Sequence, residues 1–172
     1  MKKVVLIGYM GSGKSIISKK LSQKLQISFI ELDEEIEEIS KMSIEKLFSK
    51  KGELYFRKLE HQLFLELLLR NEDLIISTGG GTPCYFNNHE LLKGDEVVSI
   101  YLKASIDTLS MRLINEKQKR PLIAYLEDIE LKEFIAKHLF DRSFYYNQST
   151  YKVSVDNKNI DEIVNEIIDL LT

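Results

Sequence analysis

Short apolar runs alternate along this chain with stretches in which apolar residues recur every third or fourth position. Val4-Val5-Leu6-Ile7, Ile27-Ser28-Phe29-Ile30, Leu74-Ile75-Ile76-Ser77, Val97 through Leu102, and Tyr151-Lys152-Val153-Ser154-Val155 read as strands. The fourth is continuous enough to be buried on both faces. After the first strand, Ile16, Ile17, Leu21 and Leu25 form an apolar stripe with Lys19, Lys20 and Gln23 between them, which predicts a helix packed on the sheet. A second run, residues 34 to 40, begins at Asp33. Residues 43 to 70 predict one or two helices, with Gly52 ending or bending the first. Leu54, Leu59, Leu63, Leu67 and Leu68 supply the apolar face there. Residues 87 to 92 make a short helical turn, and residues 105 to 113 a helix with Ile106, Leu109 and Leu113 inward. Residues 127 to 139 form another helix, with Arg142 just beyond it, and residues 159 to 171 close the chain against the sheet. Strands alternating with helices, with no repeat and no linker, imply one doubly wound α/β domain over residues 1–172.

Composition narrows the classes. Hydrophobic residues at 44% and charged residues at 30% suit a globular protein, and 172 residues suffice for a substantial core. A net charge of −3 and the lack of a basic stripe give no reason to expect nucleic acid. Cys84 is the only cysteine, so no disulfide can form within the chain, and a reducing cytoplasm is the expected compartment. Met1-Lys2-Lys3 and the apolar run after it superficially resemble a leader, but Gly8 breaks the run at once. The most apolar stretch, Leu63 to Leu69, contains Glu66 and is too short to span a bilayer, so no membrane association is expected.

Chemistry enters at Gly8-Tyr9-Met10-Gly11-Ser12-Gly13-Lys14-Ser15, a G-x-x-x-x-G-K-S pattern placed between a strand and a helix. Its glycines let backbone N–H groups turn inward around phosphate, and the helix that follows adds free amides and its positive end. Lys14 would reach the terminal phosphates as a point charge, and the Ser15 hydroxyl can ligate Mg²⁺. This pattern binds a nucleoside triphosphate. Further on, Glu31 and Asp33 leave the second strand on the same side, where open α/β sheets place ligands. Capping of the following helix explains Asp33 equally well. Arg57 and Glu60, three residues apart on a helix, could be an ordinary surface pair. The third strand runs into Thr78-Gly79-Gly80-Gly81-Thr82-Pro83, where successive glycines suit a backbone passing close to a ligand. In Glu116-Lys117-Gln118-Lys119-Arg120-Pro121 the lysines read as solvated, whereas Pro121 holds Arg120 extended and lets its side chain project.

Other phosphate-loop proteins fit poorly. Guanine readout by Asn-Lys-x-Asp fails at Asn157-Lys158-Asn159-Ile160, and the strand at 97 to 102 closes on Lys103 rather than the acid of a motor or helicase. A small kinase remains, with Arg57, Arg120 and Arg142 offering two-pronged grips for phosphate or carboxylate. Taken together, Gly8 to Ser15, Asp33, Phe56-Arg57, Gly79-Gly80-Gly81, Arg120-Pro121-Leu122 and Asp141-Arg142 resemble the shikimate kinase family over the whole chain. That resemblance implies a three-layer P-loop fold with a five-stranded parallel sheet of order 2-3-1-4-5 and helices on both faces. It also implies a substrate-binding region at about residues 33–61 and a lid at about 114–126. The implied activity is transfer of the ATP γ-phosphate to the 3-hydroxyl of shikimate, with Mg²⁺, by a cytoplasmic monomer.

The resemblance assigns roles as well. Lys14, Asp33 and Arg120 would be catalytic, with Asp33 orienting or deprotonating the acceptor hydroxyl and Arg120 acting as an arginine finger from the lid. Gly11, Ser12, Gly13, Lys14, Ser15, Ile16, Arg112 and Arg120 would hold the nucleotide, with Asp156 to Lys158 near adenine. Asp33, Arg57, Gly79, Gly80, Gly81 and Arg142 would bind shikimate, with Arg57, Arg142 and the backbone of Gly80 and Gly81 on its carboxylate. Ser15 and Glu31 (the latter through water) would meet the metal. Glu31 stands where the family usually has aspartate, and Met10 replaces the proline common inside the loop, beside a bulky Tyr9. A gluconate or nucleoside monophosphate kinase, or a non-catalytic nucleotide-binding regulator, is the competing reading.

Overall fold

The computed structural model describes residues 2–120 and 122–172. Five strands, β1 (Lys3–Ile7), β2 (Ser28–Glu31), β3 (Leu74–Ser77), β4 (Val97–Lys103) and β5 (Tyr151–Ser154), form one parallel sheet of order β2-β3-β1-β4-β5. Every residue of β1 and β3 is buried, so both faces of the sheet centre are covered. The edge strands β2 and β5 are only partly buried. This gradient explains why the central strands read as unbroken apolar runs.

The helices are α1 (Lys14–Leu25), α2 (Leu32–Ser40), α3 (Ile44–Lys51), α4 (Glu53–Leu69), α5 (Asn88–Leu91), α6 (Ile106–Ile114), α7 (Asp128–Tyr146) and α8 (Ile160–Leu171). Gly52 separates α3 from α4 with φ 84°, a left-handed conformation that glycine adopts without strain. Ser43, Ser105 and Asn159 cap their helices by accepting from the backbone N–H three residues on. Among the described residues, no helix is long and apolar enough to cross a membrane.

The structure corrects the helical reading in several places. Of the first helix's expected stripe, Ile17 and Leu21 are buried, but Ile16 is 53% exposed because it stands at the mouth of the cleft after the loop. Leu54, expected on the apolar face of α4, is 63% exposed, one residue after the helix begins. The helix expected to stop at Leu139 continues to Tyr146, so Arg142 lies inside α7 rather than beyond it. Phe140 and Phe144 point to solvent there and hide the amphipathic period. Lys117, expected as a solvated charge, donates to the Leu126 carbonyl (2.8 Å) and pairs with Asp128, drawing its segment closed. Pro121 lies outside the described residues, but Arg120 is extended as expected, at φ −128° and ψ 97°.

Candidate active site

The C-terminal ends of β1, β2 and β3 open into one cleft of about 740 Å³, the place where parallel α/β sheets gather ligands. The phosphate loop forms one wall. Gly13 takes φ 95° and caps α1 without a side chain, which leaves the first amides of that helix free to face an anion. Gly8 has no space for a Cβ, which would meet the Leu102 carbonyl and Ser12 Oγ at 2.9 Å. Lys14 Nζ donates to the carbonyls of Gly8 (2.8 Å) and Tyr9 (3.0 Å), and Arg112 donates to that of Gly11 (3.0 Å). Burial pushes the Lys14 ammonium down to about 8, against the pull of Asp33 and Glu31 and with the help of Arg120 and Arg142. Ser15, Ile16, Lys158 and Arg120 also line this cleft. Asp156 turns away from it to accept from the Ser105 amide (3.0 Å).

Across the cleft stand Glu31, ending β2, and Asp33, in the first turn of α2. The two readings of Asp33 therefore coexist, since it stabilises a helix start and also faces Lys14. Burial, reinforced by the Glu60 and Glu31 carboxylates, pushes Asp33 up to about 6, against Lys14 and Arg57. Glu31 Oε1 is buried without a hydrogen-bond partner. A buried, unsatisfied carboxylate oxygen in the cleft that Ser15 also lines suits a hard cation that takes few protein oxygens and fills its shell with phosphate and water.

The glycine run has a more specific cause than passage near a ligand. A Cβ on Gly79 would lie 3.0 Å from an Asp33 carboxylate oxygen, and one on Gly80 would lie 3.2 Å from Arg142 Nη1. At Gly81 it would stand 2.6 Å from Arg57 Nη2. The turn is thus tightly packed against a carboxylate and two guanidinium groups, and only at Gly81 would a side chain displace its neighbour outright. Arg57 donates to Glu60 Oε2 (2.9 Å), and Thr82 donates to Glu60 Oε1 (2.7 Å). Glu60 is fully buried, so the Arg57–Glu60 pair is no surface pair. The Arg57 guanidinium also stacks over Tyr85, 4.0 Å from the ring centroid. Tyr146 donates to the Gly80 carbonyl (2.6 Å) and neighbours Arg142 one turn earlier on α7.

Lys14, Asp33, Gly79 and Gly80 therefore line one cleft, and Arg142 and Arg57 pack against Gly80 and Gly81 of the same turn. Glu60 and Tyr146 are the functional supports missing from the expected set. The position of Glu60 three residues after Arg57 was visible but said nothing of its burial. Tyr146 required α7 to extend four residues past Arg142. Arg120 lines the cleft with both Nε (3.0 Å) and Nη2 (2.8 Å) donating to Glu116 Oε2.

A phosphate loop facing a carboxylate and paired arginines on this sheet defines the class of phosphate-loop small-molecule kinases. The shikimate kinase family model matches residues 10–172. A shikimate kinase from Flavobacterium johnsoniae is 60% identical over 171 residues, 99% of each chain. The crystal structure of shikimate kinase from Bacteroides thetaiotaomicron is similar with a TM-score of 0.91 at 36% identity, covering 99% of this chain and 98% of that one. Shikimate kinase from Acinetobacter baumannii in complex with shikimate gives a TM-score of 0.87 at 27% identity, covering 99% and 93%. The chain belongs to the shikimate kinase family.

Two stability tests follow from this packing. Gly81→Ala should push Arg57 off Glu60 and cost on the order of 2 kcal/mol, because it weakens the pairing of a buried charge; urea unfolding measures it, and an unchanged midpoint contradicts the crowding. Asp33 binds its proton more tightly folded than unfolded, so its contribution is full below the ordinary carboxylate range and is lost as pH rises through about 6. Asp33→Asn, which does not titrate, should therefore be more stable than the parent at pH 7 by roughly 3 kcal/mol and gain little below about pH 4. A gain that is the same at both pH values rules this out.

Proposed function

We propose that this enzyme phosphorylates the 3-hydroxyl of shikimate from ATP, yielding shikimate 3-phosphate and ADP, a step of aromatic amino acid biosynthesis. The observation that carries the reading is one cleft in which Lys14 and the amides after Gly11 face Asp33, with Arg57 and Arg142 held against the adjoining glycine turn. Amides from Gly11 to Ile16 receive the triphosphate, and Lys14 and Arg112 add charge around it. Ser15 and Glu31, the latter through water, hold Mg²⁺, which neutralises phosphate charge when bound.

Shikimate binds with its carboxylate toward Arg57, Arg142 and the backbone of Gly80 and Gly81, and with its hydroxyls toward Asp33, beside Gly79. Two guanidinium groups are a suitable grip for a planar carboxylate. The region from 33 to 61 shapes this side, since Ile44 and Phe48 share a second hollow with Met10, Asp33 and Leu122. Asp33 accepts the proton of the 3-hydroxyl as its oxygen forms a bond to the γ-phosphorus and the bond to the ADP oxygen breaks. A carboxyl raised to about 6 is ionised at neutral pH yet basic enough to hold that hydrogen bond. Arg120, released from Glu116 as the segment 114–126 closes, neutralises charge on the transferring group and helps exclude water. The enzyme works as a monomer in this reading, and the lone Cys84 suits a reducing cytoplasm.

ADP release coupled to an indicator reaction, with shikimate, gluconate or a nucleoside monophosphate as acceptor, tests the assignment. Shikimate-dependent turnover is expected, and turnover with another acceptor alone overturns it. In the same assay Arg57→Ala should raise the shikimate KM about tenfold or more with a smaller fall in kcat, the signature of lost ground-state binding. A fall in kcat at constant KM would remove Arg57 from the carboxylate site.

A further inference from the structure

Tyr9 occupies a position where the G-x-x-x-x-G-K-S pattern accepts any residue, yet its side chain is 1% exposed and held from several directions. Its carbonyl accepts from Lys14 Nζ (3.0 Å) and from the Ser12 amide (3.1 Å). Its ring faces the Arg142 guanidinium, with Cζ 5.4 Å from the centroid. Its hydroxyl pairs with His138 Nδ1 at 3.0 Å. Phe134 packs on that imidazole, ring centroids 4.2 Å apart, and fixes it from the far side. His138 and Arg142 are one turn apart on α7, so a single helix face delivers both the imidazole that grips the tyrosine and the guanidinium that rests on it.

We infer that Tyr9 and His138 are positioning residues for Arg142: the tyrosine, clamped by the histidine, is the floor on which the acceptor-binding guanidinium is held. The donor loop thereby sets the geometry of the acceptor's anion site. The inference rests on the role given to Arg142 above. An aromatic face suits this floor because it attracts a guanidinium without competing for the N–H groups that must reach the substrate carboxylate. A hydroxyl locked to His138 keeps the ring from tilting, and that is work a merely hydrophobic residue could not do. If the contact only stapled α7 to the loop, its loss would weaken the fold and both substrates alike.

The test compares the parent chain with Tyr9→Phe, Tyr9→Leu and His138→Gln. It reads the KM of shikimate and of ATP, shikimate affinity by calorimetry, and the thermal midpoint. Tyr9→Leu should raise the shikimate KM and Kd about tenfold, and Tyr9→Phe and His138→Gln about threefold, with the ATP KM moving less than about twofold. Equal rises in both KM values, or none, overturn the inference while the parent's shikimate turnover keeps the function intact. A parent chain without shikimate turnover overturns both. Should Tyr9→Leu fail to fold, Tyr9→Phe and His138→Gln, which change few atoms each, decide the matter.

Discussion

The site depends on close packing: a carboxylate and two guanidinium groups lie within 3.2 Å of where the Cβ atoms of residues 79, 80 and 81 would be. Arginine in such a position is costly to bury and must be paired. Arg57 meets this requirement through the fully buried Glu60, which also holds Thr82 and so fixes the far end of the glycine turn. Arg142 meets it through Tyr9, Tyr146 and the turn itself. The turn is thus located by the charges packed against it, and the charges are located by the turn. Neither could be assembled alone.

The same arrangement sets the proton chemistry. Asp33 feels the Glu60 and Glu31 carboxylates as well as Lys14 and Arg57, and Lys14 feels Asp33 and Glu31 as well as Arg120 and Arg142. Partial desolvation moves Asp33 up and Lys14 down, toward neutrality from both directions. Each group is then close to the pH at which it can accept or hold a proton, and the fold bears the strain of keeping both charged. Keeping Asp33 ionised at neutral pH costs stability, which is what the base proposed above would require.

How much of this was legible follows from the range of each interaction. β1, β3 and β4 were readable because their burial on both faces leaves continuous apolar runs, and the phosphate loop because its function is written in consecutive residues. Asp33, Arg57 and Arg142 stood out as candidates from their place at a strand end and their side-chain chemistry, but only the family resemblance set them apart from a helix cap and surface pairs. The depth of Glu60 was invisible because a turn more than twenty residues later covers it. Tyr9 and His138, 129 positions apart, leave no mark on sequence spacing at all. Where solvent-facing Phe140 and Phe144 interrupt the helical period, even the length of α7 was misread.

The crowding at Gly81 also bears on how such an enzyme could change its acceptor. With a substituent at residue 81 colliding with Arg57, the anionic end of the hollow offers no position that can vary by small steps. The opposite rim, where Ile44, Phe48 and Leu122 meet Met10, is built of ordinary apolar side chains of adjustable bulk. Lineages that came to prefer a different ring or chain would accumulate their substitutions on that rim and keep a carboxylate on the ligand. On the binding mode proposed above, an acceptor lacking an acid group would leave the arginine–glutamate–glycine assembly without its ligand.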